Sequence, residues 1–449
     1  MNALTTPLLT DLYQLTMLEA YLQEGMAETA VFEFYVRDLP KNRAFLVASG
    51  LEPVLSFLEN LHFTQEEIEY LRDTGRFSRR TLDYLARCTF TGDVHALPEG
   101  TVCFANEPLL RVVAPICLAQ LIETRIINLL HFSTIIASKA ARCCLAAGKT
   151  VALVDFGLRR AHGAEAGILA ARAAVATGFV GTSNILAGSL YGIPLSGTMA
   201  HSYIEAYGNE EEAFIAFARA NPRNVTFLID TYDTERGARL AANAALRLAR
   251  EGIRTRAVRL DSGDILGLSK AVRRILDDRG LQEVQIFVSG NIDEHAILAL
   301  LSAGAPINGF GVGTKLDTSE DAPYLECAYK LMEYGGKPRM KMSRKKATMP
   351  GRKEVFRRFD GNIMTGDMVT LEGDGLEGSP LMRKVMEKGR RLCAASGLYE
   401  IAAYARGQLN ALPENLRRLD TDPPYPVHMA PALLRLQKEA ERLINLQRD

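Results

Sequence analysis

The chain has 449 residues, a length that allows two or three domains. Hydrophobic residues make up 47% and charged residues 24% of it, which excludes a disordered chain, a collagen-like fibre and a disulfide-stapled miniprotein. Lys and Arg together number 53, as do Asp and Glu, so the formal net charge is zero and an overall basic nucleic-acid binder is not expected.

The N-terminus and the most apolar tract carry no sign of export or membrane insertion. Residues 1–7 lack the basic stretch and the apolar core of a signal peptide, and the tract at 129–154 is interrupted by Lys139, Arg142 and Lys149. No two of the seven cysteines are spaced as C-x-x-C, so reduced thiols are expected. We predict a cytoplasmic protein whose partners include neither nucleic acid nor membrane.

Residues 1–145 mix helical and strand patterns. Apolar residues recur at helical spacing over residues 11–22 and 64–72, whereas residues 30–37 and 101–104 are typical of short strands. We predict that this segment forms the N-terminal part of an α/β sandwich domain.

Residues 146–318 repeat a strand–helix pattern. Seven short apolar or β-branched runs alternate with mostly helical stretches, at 151–156, 179–182, 193–198, 225–229, 256–260, 284–288 and 307–312. Such alternation is typical of a parallel sheet built from βαβ units. Because a regular TIM barrel has eight strands, we predict an irregular, incomplete TIM-like α/β barrel for this segment.

Residues 319–449 follow a different pattern, with antiparallel strands, tight turns and a charged amphipathic helix at the end. The predicted strands lie at 328–333, 339–342 and 354–359, the turns at 335–336 and 360–361, and the helix at 429–446. We expect this segment to pack with residues 1–145 and to complete the α/β sandwich domain.

Polar and glycine-rich residues follow every predicted strand of the barrel. They lie at 156–160, 181–184, 197–202, 230–234, 259–264, 289–293 and 309–314. In a parallel barrel the carboxyl ends of the strands meet at one rim, where active sites lie. The sequence therefore predicts a shared site at this rim.

The last two of these loops have the composition of a phosphate site. Gly311 and Gly313 would let backbone N–H groups approach a phosphate, and Thr314 offers a hydroxyl. Ser289 and Gly290 occupy the preceding loop, and late-strand loops commonly hold phosphate in barrels. The alternative is an ordinary tight turn, since residues 309–314 lack the full G-x-G-x-x-G spacing.

Three arginines are placed to bind anions at the rim. Arg159 and Arg160 come directly after the first strand, and Arg259 precedes Asp261 by two residues, so both of those side chains point to one face of their strand. The planar guanidinium group suits phosphates and carboxylates. The alternative for Arg259 is an internal salt bridge with Asp261 or Asp230.

His201 and the rim aspartates are the candidates for chemistry. An imidazole near phosphates can act as an acid, a base or a phosphoryl acceptor. The carboxylates of Asp230, Asp261 and Asp264 could hold Mg²⁺ or stabilise positive charge on a sugar.

Several motifs follow one another in a specific order. They are residues 11–17 (DLYQLTM), 156–163 (FGLRRAHG), 197–202 (GTMAHS), 259–264 (RLDSGD), 309–314 (GFGVGT) and 347–353 (ATMPGRK). Together they resemble the nicotinate phosphoribosyltransferase family, although Asn291 and Tyr203 stand where Asp and Trp are often expected. The resemblance implies a type II phosphoribosyltransferase fold, with a barrel-like α/β domain and an α/β sandwich, assembled as a homodimer.

The resemblance also implies a reaction and its residues. Nicotinate and 5-phosphoribosyl-1-pyrophosphate would give nicotinate mononucleotide and pyrophosphate for NAD synthesis, with ATP hydrolysis coupled through phosphorylation of His201. Tyr13 and Thr198 would contact nicotinate, Arg259 would pair with its carboxylate, and Thr314 would bind the phosphoribosyl substrate.

Other roles at the site are expected on chemical grounds. Asp261 would stabilise the ribose, and Mg²⁺ would be bound through the substrate phosphates, with Asp261 as a candidate ligand. Arg159 and Arg160 suit the pyrophosphate. Because Tyr13 is far from the barrel strands in sequence, we expect it to reach the active site of the neighbouring subunit.

Four alternatives remain open at this point. The acceptor could be nicotinamide, which an unmatched cation at Arg259 argues against, or quinolinate, whose second carboxylate would demand more cations. The chain could be a non-catalytic barrel that binds a phosphorylated ligand. A barrel aldolase or lyase would need a Schiff-base lysine, and only Lys315 lies near a strand end.

Overall fold

The computed structural model describes residues 6–343, 347–419 and 424–446. The chain divides into two compact units. The sandwich unit comprises the chain up to Ser138 and from Tyr324 onward, and the half-barrel unit comprises Lys139–Pro323. Among the described residues no helix is both long and apolar enough to cross a membrane.

The N-terminal segment contains six helices and five strands among its described residues. They are α1 (Leu12–Gln23), β1 (Thr29–Val36), β2 (Leu46–Val47), α2 (Leu51–Glu59), α3 (Gln65–Asp73), α4 (Arg79–Leu85), β3 (Asp93–Ala96), β4 (Val102–Cys103), β5 (Pro108–Pro115), α5 (Ile116–Leu121) and α6 (Glu123–Ala147). The predicted helices and strands of this segment are all present.

The half-barrel unit alternates strands and helices. Its elements are β6 (Ala152–Asp155), a 3₁₀ turn (Leu158–Arg160), α7 (Ala164–Thr177), β7 (Gly181–Thr182), α8 (Ile185–Tyr191), α9 (His201–Tyr207), α10 (Glu210–Ala220), β8 (Val225–Leu228), α11 (Thr234–Arg250), β9 (Thr255–Leu260), α12 (Ile265–Asp277), β10 (Gln285–Val288), α13 (Glu294–Ser302), β11 (Gly309–Val312) and α14 (Thr314–Asp317).

The C-terminal segment returns to antiparallel strands and ends in helices. Its elements are β12 (Cys327–Tyr334), β13 (Lys337–Pro338), β14 (Lys353–Asp360), β15 (Ile363–Leu371), β16 (Ser379–Pro380), β17 (Arg383–Glu387), β18 (Arg390–Arg391), α15 (Leu398–Ala411), α16 (Glu414–Arg417), β19 (Val427–Met429) and α17 (Pro431–Leu446).

The half-barrel sheet is open and wholly parallel. Its strand order is β7-β6-β11-β10-β9-β8 within a unit that the structure describes throughout. The predicted strand at 193–198 is reduced to a single bridge between Leu195 and Thr182, where Pro194 has no N–H to donate. The prediction of an irregular, incomplete α/β barrel is confirmed.

The sandwich unit joins the two ends of the chain, as predicted. Within the described residues, a seven-stranded sheet has the order β13-β12-β1-β5-β3-β17-β18, in which the N-terminal β1 pairs antiparallel with the C-terminal β12. A second sheet has the order β16-β14-β15-β19. The prediction of a strand at 339–342 is wrong. The strand that pairs with β12 here is β13, which ends at Pro338.

Aspartates cap the N-termini of three helices of the half-barrel unit. The side chains of Asp233, Asp264 and Asp293 accept hydrogen bonds from the first-turn N–H groups of α11, α12 and α13. These caps fix where each helix starts, immediately beyond the carboxyl end of a strand. The loops that carry the candidate site residues are therefore short and held at both ends.

Candidate active site

Five of the predicted site residues lie together at the carboxyl ends of the half-barrel strands. Thr198, His201, Arg259, Asp261 and Ser289 come from three strand-end segments, 197–202, 259–264 and 289–293, and hydrogen bonds link four of them directly. The sequence predicted this convergence because all the strands run parallel.

Arg259 is at the centre of this cluster. Its Nε donates to Ser289 Oγ at 3.0 Å, and its Nη1 donates to Thr198 Oγ1 at 2.8 Å and to the Met199 carbonyl at 3.2 Å. The guanidinium carbon lies 6.0 Å from the centre of the Phe156 ring. These contacts fix the plane of the guanidinium group and place it beside an aromatic face.

Arg259 also forms the internal ion pair that the sequence left open. Its Nη2 lies 3.3 Å from Asp261 Oδ1, with side chains that are 12% and 32% exposed. With this contact the guanidinium group donates four hydrogen bonds, and one N–H group of Nη2 is left over. The cation is therefore matched within the protein.

Asp261 is an ionised carboxylate whose position is fixed by hydrogen bonds to its backbone and its side chain. Its backbone N–H donates to Asp230 Oδ2 at 2.9 Å, and the Ser289 hydroxyl donates to its Oδ1. Burial raises its pKa, but the Ser289 hydrogen bond and the charges of Arg259 and His201 outweigh burial, and the pKa of Asp261 falls below its usual value. Asp261 therefore presents a negative charge to the rim at neutral pH.

His201 is the first residue of α9 and is half-buried. Its Nδ1 lies 3.1 Å from Thr231 Oγ1, and no residue in the described ranges hydrogen bonds to Nε2. A hydrogen bond at one ring nitrogen orients the imidazole and leaves the other nitrogen for chemistry. Thr231, which sequence reasoning missed as a site residue, lies in the loop after β8 and carries the same strand-end signal.

The three aspartates predicted to hold Mg²⁺ do not form a joint metal cluster. The described residues contain no group of three or more His, Cys, Asp or Glu side chains arranged to hold a metal. Asp264 caps α12 instead. Asp230 Oδ2 accepts from Asp261 and from the Ser262 hydroxyl, while its buried Oδ1 has no hydrogen-bond partner among the described residues.

Steric contacts explain why glycine occupies three positions of the predicted phosphate loops. Gly290 has φ +86°, and a Cβ there would lie 1.9 Å from the Asp261 carbonyl oxygen. A Cβ at Gly311 would lie 2.4 Å from the Phe156 ring, and one at Gly313 would lie 3.1 Å from the Phe156 carbonyl oxygen. Gly311 is thus needed for packing of Phe156, a residue that sequence reasoning did not single out.

The remaining predicted residues are exposed. Thr314 is the first residue of α14, and Arg159 and Arg160 lie on the 3₁₀ turn that follows β6. Tyr13 belongs to α1 of the sandwich unit and is 47% exposed. Burial of part of its ring, followed by the charge of Glu123, raises its pKa.

Comparison with known families covers most of the chain. Residues 8–131 match the nicotinate phosphoribosyltransferase N-terminal domain, residues 151–355 match the nicotinate phosphoribosyltransferase family, and residues 376–437 match the nicotinate phosphoribosyltransferase C-terminal domain.

Curated relatives carry the same name. A nicotinate phosphoribosyltransferase of Mycobacterium tuberculosis is 48% identical over 422 residues, covering 94% of this chain and 90% of that protein. The enzyme of that name from Bacillus subtilis is 37% identical and covers 94% of this chain and 92% of its own length.

Solved structures share the whole fold. The human nicotinic acid phosphoribosyltransferase superposes with a TM-score of 0.86 at 30% identity, covering 97% of this chain and 99% of that one. A nicotinate-nucleotide pyrophosphorylase from Pyrococcus furiosus gives 0.74 at 27% identity, covering 91% of this chain and 96% of its own. The chain belongs to the nicotinate phosphoribosyltransferase family.

Proposed function

We propose that this chain transfers the phosphoribosyl group of 5-phosphoribosyl-1-pyrophosphate to nicotinate, giving nicotinate mononucleotide and pyrophosphate, with ATP hydrolysis coupled through His201. The observation that carries this proposal is Arg259, which is fixed by Ser289, Thr198 and Asp261 beside Phe156 at the rim. The acceptor named for the relatives is nicotinate, a flat ring that bears one carboxylate.

Arg259 and Thr198 would bind the carboxylate of nicotinate. The Thr198 hydroxyl accepts a hydrogen bond from Arg259 Nη1 and donates a long one of 3.4 Å to the Met199 carbonyl. On ligand binding it could donate to a ligand oxygen instead of to that carbonyl. The remaining N–H group of Arg259 Nη2 is a second donor. Phe156 offers one face to the ring, and Tyr13 of a neighbouring subunit in a homodimer would offer the other.

The choice of nicotinate over nicotinamide does not follow from an unmatched cation. Asp261 already balances Arg259, so that sequence argument fails on the geometry. The preference is supported instead by the two donors at the site, the Thr198 hydroxyl and Arg259 Nη2. A carboxylate accepts at both of its oxygens, whereas an amide presents one acceptor and one donor. It is also supported by the relatives' names.

Transfer would break the bond between ribose C1′ and the pyrophosphate oxygen as the ring nitrogen of nicotinate bonds to C1′. Positive charge develops on the ribose, and the ionised Asp261 is placed to stabilise it. The pyrophosphate and phosphate oxygens would be bound by three parts of the rim. These are the turn with Arg159 and Arg160, the loop with Ser289 and Gly290, and the last loop with Gly311, Gly313 and Thr314. Mg²⁺ would neutralise the leaving pyrophosphate, with Asp261 and the unpartnered Oδ1 of Asp230 as its protein oxygens.

His201 would accept a phosphoryl group from ATP. Its Nε2 forms the bond to phosphorus as the bond to the ADP oxygen breaks, and water later releases phosphate. The hydrogen bond between His201 Nδ1 and Thr231 holds the imidazole ring so that Nε2 points away from Thr231 during both steps.

The other candidate functions fit less well. The Nζ of Lys315 lies 2.8 Å from Asp293 Oδ2, and this hydrogen bond, which outweighs partial burial, raises the pKa of Lys315. A lysine held in its charged form is a poor Schiff-base nucleophile, which argues against an aldolase. A second carboxylate, as in quinolinate, would need a further cation beside Arg259, whose own charge is already shared with Asp261.

The test is an assay of the purified protein with phosphoribosyl pyrophosphate and Mg²⁺. Nicotinate, nicotinamide or quinolinate is supplied separately, each with and without ATP, and mononucleotide and ADP are measured. We expect product with nicotinate, formed faster with ATP and accompanied by ADP. Product with nicotinamide alone would move the specificity to that acceptor, and no product with any of the three would support a non-catalytic binding role.

A further inference from the structure

Two aspartates lie fully buried beneath the rim. Asp155 is the last residue of β6 and Asp317 is the last residue of α14, and both are 0% exposed. A buried carboxylate without partners is costly, so each must either be neutral or be matched. The mechanism above uses neither of them.

The two carboxyls have unequal surroundings. Asp155 accepts from the Gly157 N–H at 2.8 Å and from the Thr182 hydroxyl at 2.6 Å. Neither oxygen of Asp317 accepts a hydrogen bond from a donor among the described residues, and the polar group that acts on it is the Asp155 carboxyl. The donors available in this part of the core therefore serve Asp155.

The Asp317 carboxyl also packs directly on Gly157. A Cβ at Gly157 would lie 2.0 Å from Asp317 Cγ and 2.2 and 2.4 Å from its oxygens. The N–H of the same glycine donates to Asp155. Both carboxyls therefore converge on Gly157, the residue from which the turn bearing Arg159 and Arg160 departs.

Two adjacent carboxyls in a dry core do not both ionise, because like charges at close range repel strongly. Asp155, with two donors, is the better site for the negative charge, and Asp317, with none, is the better site for the proton. Burial followed by the Asp155 charge raises the pKa of Asp317 well above its usual value. Burial raises the pKa of Asp155 as well, but the hydrogen bonds from Thr182, Gly157 and Asp317 oppose that rise.

We propose that Asp155 and Asp317 share one proton, with Asp317 as the neutral acid that donates to Asp155, and that this pair positions the two rim loops that begin at Gly157 and Thr182. Asp155 and Asp317 are positioning residues, since they act through those loops. Only the link to substrate binding rests on the function proposed above. Ionisation of the pair would place a second negative charge in the core and would loosen both loops.

Few charged groups lie on the elements around the pair. On the elements that pack against α14 they are Arg159 and Arg160 of the turn and Glu165 and Arg172 of α7, with Lys315 on α14 itself. Arg159 and Arg160 are exposed, Arg172 lies 5.8 Å from the ring centre of Tyr191, and Lys315 binds Asp293. Strands β7 and β11 contribute no ionisable side chain.

The protonation can be tested by thermal unfolding of the whole chain between about pH 5 and pH 9, comparing the native protein with Asp317→Asn. A group whose pKa is raised on folding stabilises the fold at low pH, and this contribution is lost as pH rises toward the folded-state pKa. We expect the Tm of the native protein to fall more steeply with rising pH than that of the variant. The control Asp278→Asn, at an exposed helix end, should follow the native protein. Identical slopes for the native protein and Asp317→Asn would overturn the shared proton.

The positioning role has a separate readout. Asp317→Asn keeps a neutral donor and should leave the KM for phosphoribosyl pyrophosphate near the native value, whereas Asp317→Val removes the donor and should raise that KM about three- to tenfold with little change in kcat. An unchanged KM in Asp317→Val, or an equal rise in both variants, would overturn the positioning role. The unfolding measurements need no activity, so they decide the shared proton even if the proposed reaction fails.

Discussion

The two units contain the same pair of side chains in two different settings. In the sandwich unit, Arg357 binds Asp367 through Nε and Nη2 at 2.9 and 2.6 Å, and both side chains are 0% exposed. In the half-barrel unit, Arg259 reaches Asp261 through a single contact of 3.3 Å, and both side chains are partly exposed.

The partners of the two pairs differ in the same way. The Asp367 carboxylate also accepts from the Tyr425 hydroxyl, and Arg357 donates to Gln408, so each member of the sandwich pair has a further side-chain partner. The other partners of Arg259 are two hydroxyls and a carbonyl at the rim, and a hydroxyl can exchange one acceptor for another. We therefore call Arg357 and Asp367 the closed pair, to which we assign a structural role, and Arg259 and Asp261 the open pair, which receives an anion under the function proposed above.

The largest effect is expected for the closed pair. Replacing Arg357 with Met leaves Asp367 buried without its cation, and we expect the free energy of unfolding to fall by about 3–5 kcal/mol. Urea denaturation of the whole chain measures this loss. The double variant Arg357→Met with Asp367→Leu removes both charges and should recover most of it. A loss below about 1 kcal/mol in the single variant would contradict a structural role.

A smaller effect is expected for the histidine at the rim. Under the proposed function, His201→Ala removes the residue that accepts the phosphoryl group, so ATP should no longer stimulate turnover and kcat with ATP should fall about 10- to 100-fold, which is about 1.4–2.7 kcal/mol. Slower, uncoupled product formation should remain, and the unfolding free energy should not change. The control is His295→Ala, on the exposed side of α13. Full ATP stimulation in His201→Ala would show that the phosphoryl acceptor lies elsewhere.

The smallest effect is expected for the hydroxyl that links the open pair. Ser289 accepts from Arg259 and donates to Asp261, so Ser289→Ala removes one hydrogen bond from each. We expect kcat/KM for nicotinate to fall about fivefold, or about 1 kcal/mol, since the remaining contacts still hold the guanidinium group. Ser302→Ala, at an exposed position of α13, is the matched control. A loss beyond about a hundredfold would mean that the remaining contacts do not hold the guanidinium group of Arg259 once the Ser289 hydroxyl is removed.

The half-barrel fold and its rim follow from the sequence because strand and helix patterns alternate and polar residues come at the strand ends. The strand at 193–198 was overestimated because Pro194 limits its pairing to one bridge. Asp264 is one of three aspartates that the sequence offers for Mg²⁺ or for positive charge on a sugar, and its role as the cap of α12 could also have been expected from its place just before a helical pattern. Burial of Asp317 could not be predicted, since the four-residue helix that carries it is too short to show periodicity.

The central claim is that Arg259 recognises the carboxylate of nicotinate. The most direct measurement is the ratio of kcat/KM for nicotinate to that for nicotinamide, in the native protein, in Arg259→Gln, and in the control Arg256→Gln, which is exposed on the same strand. We expect the native protein and the control to favour nicotinate strongly, and Arg259→Gln to lose about a hundredfold or more of that preference, or about 2.7 kcal/mol, while its unfolding free energy falls by less than that of Arg357→Met because the Arg259 pair is partly exposed. A ratio that is unchanged in Arg259→Gln would contradict the claim and would place carboxylate recognition on other residues.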